Sequence, residues 1–242
     1  MVRKQRNIKS LNLNQNGSIN QNIINPEKDF PYFILGFQDG LVNVFGVVLA
    51  VAFGTFNTAI VILAGLAATF AESISMGAVA YTSTKAERDY RVKRINELKR
   101  LRKKAFIEHL INSLSKFSIK GTVAYNISLL MAKNKENSIN FIISQELKES
   151  TEIKDPLKYA IVVFISSLLG SLVPIASFFF LDVKTAIIST FIICAFTLFI
   201  IGIYKSSLYN TNPIKEGLEL LFIGMASALL GFAIGYIFGV KS

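Results

Sequence analysis

Five predominantly apolar runs, at about 33–54, 57–82, 157–180, 185–204 and 217–239, alternate with polar segments along the chain. A hydrocarbon core of about 30 Å takes roughly 20 helical residues to cross, so each run predicts a transmembrane helix. The first two are separated only by an uncharged turn at 54–57 and predict a helical hairpin. The third and fourth meet near 182–184. The fourth and fifth are joined by 205–216, where Pro213 is a helix-start signal. Between the second and third runs lies a block crowded with charge. The second span is expected to continue into it as one long helix through Glu87, Glu97 and Glu108, with later helices near 122–133 and 138–149. The expected fold class is all-α: a polytopic membrane protein with five transmembrane helices and a cytoplasmic helical domain between spans two and three. Its expected divisions are a disordered cytoplasmic tail at 1–30, a transmembrane hairpin at 31–84, the cytoplasmic domain at 85–155 and spans three to five at 156–242.

Composition adds orientation. Of 242 residues, 52% are hydrophobic, yet 26 Lys+Arg stand against 16 Asp+Glu. With the N-terminus inside, five cations precede span one, seventeen lie from Lys85 to Lys158, and Lys205 and Lys215 share the last inner loop. Only Lys184 and Lys241 then fall outside. That bias predicts a cytoplasmic N-terminus and a C-terminus on the opposite side. It leaves open whether the membrane is the plasma membrane or that of a vacuole-like organelle. The net charge of +10 follows from the same bias and from attraction to anionic headgroups, so nucleic acid is not an expected partner. The first 30 residues lack an apolar h-region, so no secretory signal is expected before span one.

Two carboxylates interrupt the hairpin, Asp39 and Glu72, and ionisable groups within a span point by default to function. Counted from a turn at about residue 56, Asp39 lies 17 positions before it and Glu72 lies 16 after. At ~1.5 Å per residue both reach one depth, in the cytoplasmic half of the bilayer. Asn43 and Met76 each stand one turn further along the same face of their helix. Oxygen donors with one thioether suit a first-row divalent ion such as Fe2+ better than Mg2+ or Ca2+. Packing alone is the plainer role for Met76, and a headgroup-level position the plainer one for Asp39. Small residues around them (Gly36, Gly40, Gly46, Ala71, Ser73, Ser75, Gly77, Ala78) allow close helix approach. Gly231, Gly235 and Gly239 repeat every four residues in the last span, without identifying the face they pack. The lone cysteine, Cys194, reads as a small buried hydrophobe. With a single histidine, His109, and no phosphate-binding glycine loop, no enzyme is expected.

The strings Asp39-Gly40-Leu41-Val42, Ala71-Glu72-Ser73-Ile74-Ser75-Met76-Gly77 and Tyr81-Thr82-Ser83-Thr84-Lys85-Ala86-Glu87 resemble the vacuolar iron transporter family. Pro156, Gly170, Pro174 and the glycine-rich last span extend the resemblance from about residue 30 to the end. It implies five spans in a lipid bilayer, a homodimer, and export of Fe2+, sometimes Mn2+, from the cytosol with protons as the coupling ion. Asp39 and Met76 would line the ion path with Glu72 as a further carboxylate. The metal is then transported substrate, with Co2+ or Zn2+ as other candidates, and no cofactor is permanently bound. The resemblance also implies a cytoplasmic helical domain whose glutamates collect metal. Here these would be Glu87, Glu97 and Glu108, the last two eleven residues apart and so on one helix face, opposed by Glu146 and Glu149. The sequence departs from the family at this point. Arg91-Val92-Lys93-Arg94 and Lys99-Arg100-Leu101-Arg102-Lys103-Lys104 make the first helix of the domain cationic, which opposes metal loading. His109 beside Glu108 is a ligand candidate, though a solvated role is the plainer one.

Two other readings stand beside transport coupled to protons. A membrane anchor presenting a basic helical module to a protein or lipid partner accounts for 85–158 but leaves Asp39 and Glu72 unexplained. A passive channel differs in lacking dependence on a pH gradient.

Overall fold

Four of the five long apolar helices begin at a side chain that satisfies free amides of the helix start. The structure, a computed structural model, describes residues 26–147 and 155–239. Helix α1 (Pro26–Thr55) and helix α2 (Thr58–Arg100) are joined by Phe56 and Asn57. Phe56 takes a left-handed conformation at φ 47, and the Asn57 side chain accepts from Ala59 N at 3.0 Å and Ile60 N at 3.2 Å. After the intervening domain, α6 (Pro156–Ala176) starts at Asp155, whose carboxylate accepts from Leu157 N at 3.1 Å. A short 3-10 turn, Ser177–Phe179, leads to α7 (Val183–Tyr209), capped by Asp182. Asn210 ends α7 in the left-handed region at φ 52, and Asn212 caps α8 (Pro213–Phe238). Five helices are thus long and apolar enough to cross a membrane. Among the described residues there is no strand.

The block between α2 and α6 folds into α3 (Lys103–Ser115), α4 (Gly121–Met131) and α5 (Lys135–Leu147). Here the expectation of one unbroken helix through Glu108 is corrected. Leu101 and Arg102 are extended, at ψ 139 and 152, and the chain turns back. No proline or glycine marks the break. It is driven by burial: Leu98, Phe106, Leu110, Ile139, Ile142 and Ile143 form a core of their own, with Leu101 packed against it. The carbonyls freed at the end of α2 are taken by Lys135, whose Nζ donates to Lys99 O at 2.8 Å and Leu101 O at 3.3 Å. Glu97 and Glu108 therefore lie on different helices and share no helix face. At ~1.5 Å per residue the 43 residues of α2 extend about 65 Å, twice the hydrocarbon thickness, so its second half stands outside the bilayer.

Within the membrane part, α1 is the inner helix, with Leu41, Val44, Phe45, Val48, Leu49 and Ala52 all buried. It reaches its neighbours through small residues. On one side Gly36 and Gly40 meet Ser166, Ser167 and Ser171 of α6, while Gly170 of α6 lies against the Phe37 carbonyl. On the other, Gly46, Ala50 and Gly54 meet Ser227, Gly231 and Gly235 of α8 and Gly239 just past its end. The glycine repeat of the last span thus packs α8 against α1 of the same chain. Ser227 Oγ seals this seam by donating to Val42 O at 2.9 Å. Without a hydrophobic drive between helices in lipid, such backbone proximity supplies the dispersion contacts that hold them.

Candidate functional site

The hairpin turn fixes α1 and α2 in antiparallel register, which brings Asp39 and Asn43 of α1 level with Glu72 of α2. Asn43 Nδ2 donates to Glu72 Oε1 at 2.9 Å, and the Asp39 and Glu72 carboxyl groups lie within hydrogen-bonding reach of each other. Two carboxylates so placed repel unless a proton or a cation lies between them. Met76 is one turn along α2 from Glu72 and half-buried. Asp39 and Glu72 are also half-buried, whereas Asn43 is exposed on the outer side of the hairpin.

Helix α6 backs this level of the hairpin. Gly40, beside Asp39, has room only for a hydrogen where Ser167 and Ser171 approach, and Gly77, beside Met76, faces Phe164. Ser73, next to Glu72, is fully buried and donates to Thr69 O at 2.7 Å. The small residues next to Asp39, Glu72 and Met76 therefore let α6 approach both helices closely at this level.

The glutamates of the helical domain are placed differently. Glu97 and Glu146 do converge, but on Arg94. Its Nε donates to Glu146 Oε2 and its Nη2 to Glu146 Oε1, both at 2.7 Å, while Nη1 reaches Glu97 Oε2 at 3.1 Å. The Arg94 bond holds the Glu146 carboxyl below the usual carboxylate range, with further pull from His109 and Lys116. His109, half-buried on α3, thus stands near Glu146. Glu87 lies 4.0 Å from Arg91, Glu108 is exposed on α3, and Glu149 is outside the described residues. Among the described residues, no group of three or more His, Cys, Asp and Glu is arranged to hold a metal ion.

Two interhelical ion pairs stand at the helix ends, and the apolar runs read from the sequence leave out Asp29, Lys205 and Glu216. Lys205 Nζ meets Glu216 Oε2 at 3.0 Å between α7 and α8, and Lys158 Nζ meets the buried Asp29 at 2.7 Å between α6 and α1. Helix α8 starts at Pro213, four residues before the apolar run, and so carries Glu216 in its first turn. Pro213, the helix-start signal read from the sequence, stands at this start.

Five apolar helices and carboxylates meeting between two of them define an integral membrane protein with a polar site inside its spans. The chain belongs to the VIT family, whose model matches residues 31–236. It is similar to the vacuolar iron transporter of Plasmodium falciparum, 28% identical over 218 residues, covering 84% of this chain and 80% of that protein. Vacuolar iron transporter 1 of Arabidopsis thaliana is 25% identical over 209 residues, covering 83% and 82%. An uncharacterised protein of Methanocaldococcus jannaschii is 26% identical over 213 residues, covering 88% and 92%.

Proposed function

We propose that this protein carries a first-row divalent metal ion, Fe2+ foremost and Mn2+ as a second substrate, out of the cytosol across a bilayer by exchange for protons. The observation that carries this reading is the meeting of Asp39, Asn43 and Glu72 across the α1–α2 hairpin. A pair of carboxylates that holds either a cation or a proton is the minimal device for exchanging one for the other, since proton binding weakens the ligand form. Asn43 adds a neutral oxygen and Met76 a soft sulfur, a set that tilts selection toward transition metals. The relatives' names as iron transporters support the same substrate.

In this reading the N-terminus and the α3–α5 domain face the cytoplasm, as the Lys/Arg bias indicates. The working unit is a homodimer. Asn43 is exposed and Glu72 only half-buried, and polar groups facing lipid are costly, so a second copy covering this side of the hairpin would enclose the site.

The test is Fe2+ entry into liposomes holding the purified protein, with and without an imposed pH gradient, for wild type, Asp39→Ala and Met76→Ala. Gradient-dependent entry by wild type, lost in both folded variants, is expected. Entry without a gradient would instead mark a passive channel. No divalent ion moved under any gradient would remove the transport reading and turn attention to the basic domain as a partner-binding module.

A further inference from the structure

We propose that Arg94 is a tethered cation latching α5 onto α2, and that its guanidinium fills the gap between Glu97 and Glu146 so that the helical domain takes up no divalent ion. This inference concerns the domain alone and stands whether or not the membrane carboxylates carry a metal.

Glu97 and Glu146 are 49 positions apart and belong to different helices, yet both carboxylates close on one point. The point is filled from within the chain. Arg94 offers its fork to both oxygens of Glu146 and its remaining amino group to Glu97. A guanidinium matches a carboxylate with two parallel bonds, which a point charge does not. The pair is partly withdrawn from water, with side-chain exposures of 25% for Arg94 and 27% for Glu146, so it is less screened than a free surface pair. The surroundings add cations. Lys93 and Lys116 line the same hollow of about 390 Å³ with Tyr90, and Lys116 Nζ also reaches Gln145 O at 3.4 Å. A hard divalent ion entering here would have to displace a bidentate arginine and approach two lysines, a balance that favours the latch.

The latch has a mechanical role as well. Helix α5 touches α2 through the core around Leu98 and Ile142, and Lys135 ties the start of α5 to the end of α2. The Arg94 fork ties its other end, so α5 is fastened at both ends by cations already in the chain.

The test uses the full-length protein in nanodiscs, with Asp39→Ala and Glu72→Gln in every sample so that retained Mn2+ reports the helical domain. Bound Mn2+ is counted by electron paramagnetic resonance at moderate salt. With Arg94 present, and with Arg94→Lys, no Mn2+ should be retained. Arg94→Gln should gain one equivalent and lose it when Glu146→Gln is added. The same variant should lose roughly tenfold of the hydrogen-exchange protection of α5, the scale of one charge-assisted fork, and regain it with Mn2+. Mn2+ retained in the presence of Arg94 and released by Glu146→Gln would overturn the proposal. So would an Arg94→Gln protein of unchanged helicity that binds none. Should Arg94→Gln lose helicity, the Arg94-containing sample decides: no Mn2+ supports the latch, and Glu146-dependent Mn2+ removes it.

Discussion

Asn43 and Glu72 meet across the hairpin, the amide of one donating to the carboxylate of the other at 2.9 Å. This bond orients the Glu72 carboxyl group, which also lies within reach of Asp39. Asn43→Ala would leave that carboxylate free to rotate and remove a neutral ligand. A hydrogen bond to a charged group contributes about 1.5–3 kcal/mol, so the Fe2+ concentration for half-maximal transport should rise roughly tenfold or more. The maximal rate should change less. Initial rates in proteoliposomes across a range of Fe2+ would check this, and an unchanged half-saturation point would remove Asn43 from the site.

The seam between α1 and α8 gives a stability test with an internal control. A Cβ on Gly231 would fall on the Gly46 carbonyl, backbone against backbone, whereas one on Gly54 would meet Gly239 Cα at 3.4 Å, an ordinary contact. Gly231→Ala should therefore force α8 away from α1 and cost about 1–3 kcal/mol, the usual range for overpacking. Gly54→Ala should be neutral or slightly stabilising, since alanine is the better helix former. Thermal melting in detergent of the two variants beside wild type reads the contrast. Equal melting would mean that the glycine repeat does not set the α1–α8 distance.

Much of this architecture was legible from residues alone, for physical reasons that also mark where reading stops. An apolar run of about 20 residues has few alternatives to crossing a membrane, so all five spans and the Asn57 turn could be placed. Equal counting from that turn brought Asp39, Asn43 and Glu72 to one level because helices have a fixed rise. The break at Leu101 and Arg102 was not legible. The local sequence is rich in helix formers, and the turn is imposed by Leu98 and Leu101 packing with Phe106 and Ile142. Nor could spacing show that Arg94 would stand between Glu97 and Glu146, since their separation in sequence says nothing of their proximity. Gly231 and Gly235 declared a packing face but not which helix it meets.

Acidification should loosen the α3–α5 domain. Arg94 holds the Glu146 carboxyl below its ordinary value of 4.5. A group lowered in the folded state contributes stability that is complete above its unfolded pKa and disappears as pH falls through the folded one. Hydrogen exchange of α5 should thus stay flat from pH 8 to about pH 5, apart from the intrinsic rate, and increase below about pH 4.5, the range where free carboxylates protonate. Glu146→Gln should be less protected at neutral pH and lose this acid step. An acid step that persists in Glu146→Gln would assign it to another carboxylate.

Orientation can be settled with two introduced cysteines, because the native one stays silent. Cys194 is fully buried within α7, so a membrane-impermeant maleimide should not reach it in the folded protein. Ala59 is exposed in the first turn of α2, and Lys104 is exposed in the first turn of α3. The part of α2 that crosses the bilayer lies between the two sites. In the proposed orientation, which follows the excess of Lys and Arg in the α2–α6 block, Lys104 faces the cytoplasm and Ala59 the far side. In sealed right-side-out vesicles, Ala59→Cys should label from outside, and Lys104→Cys only after the membrane is opened. The reverse pattern would invert the proposed direction of transport while leaving the site intact. Labelling of both from outside would show that the hairpin does not span, and that the apolar length of α1 and α2 has another explanation.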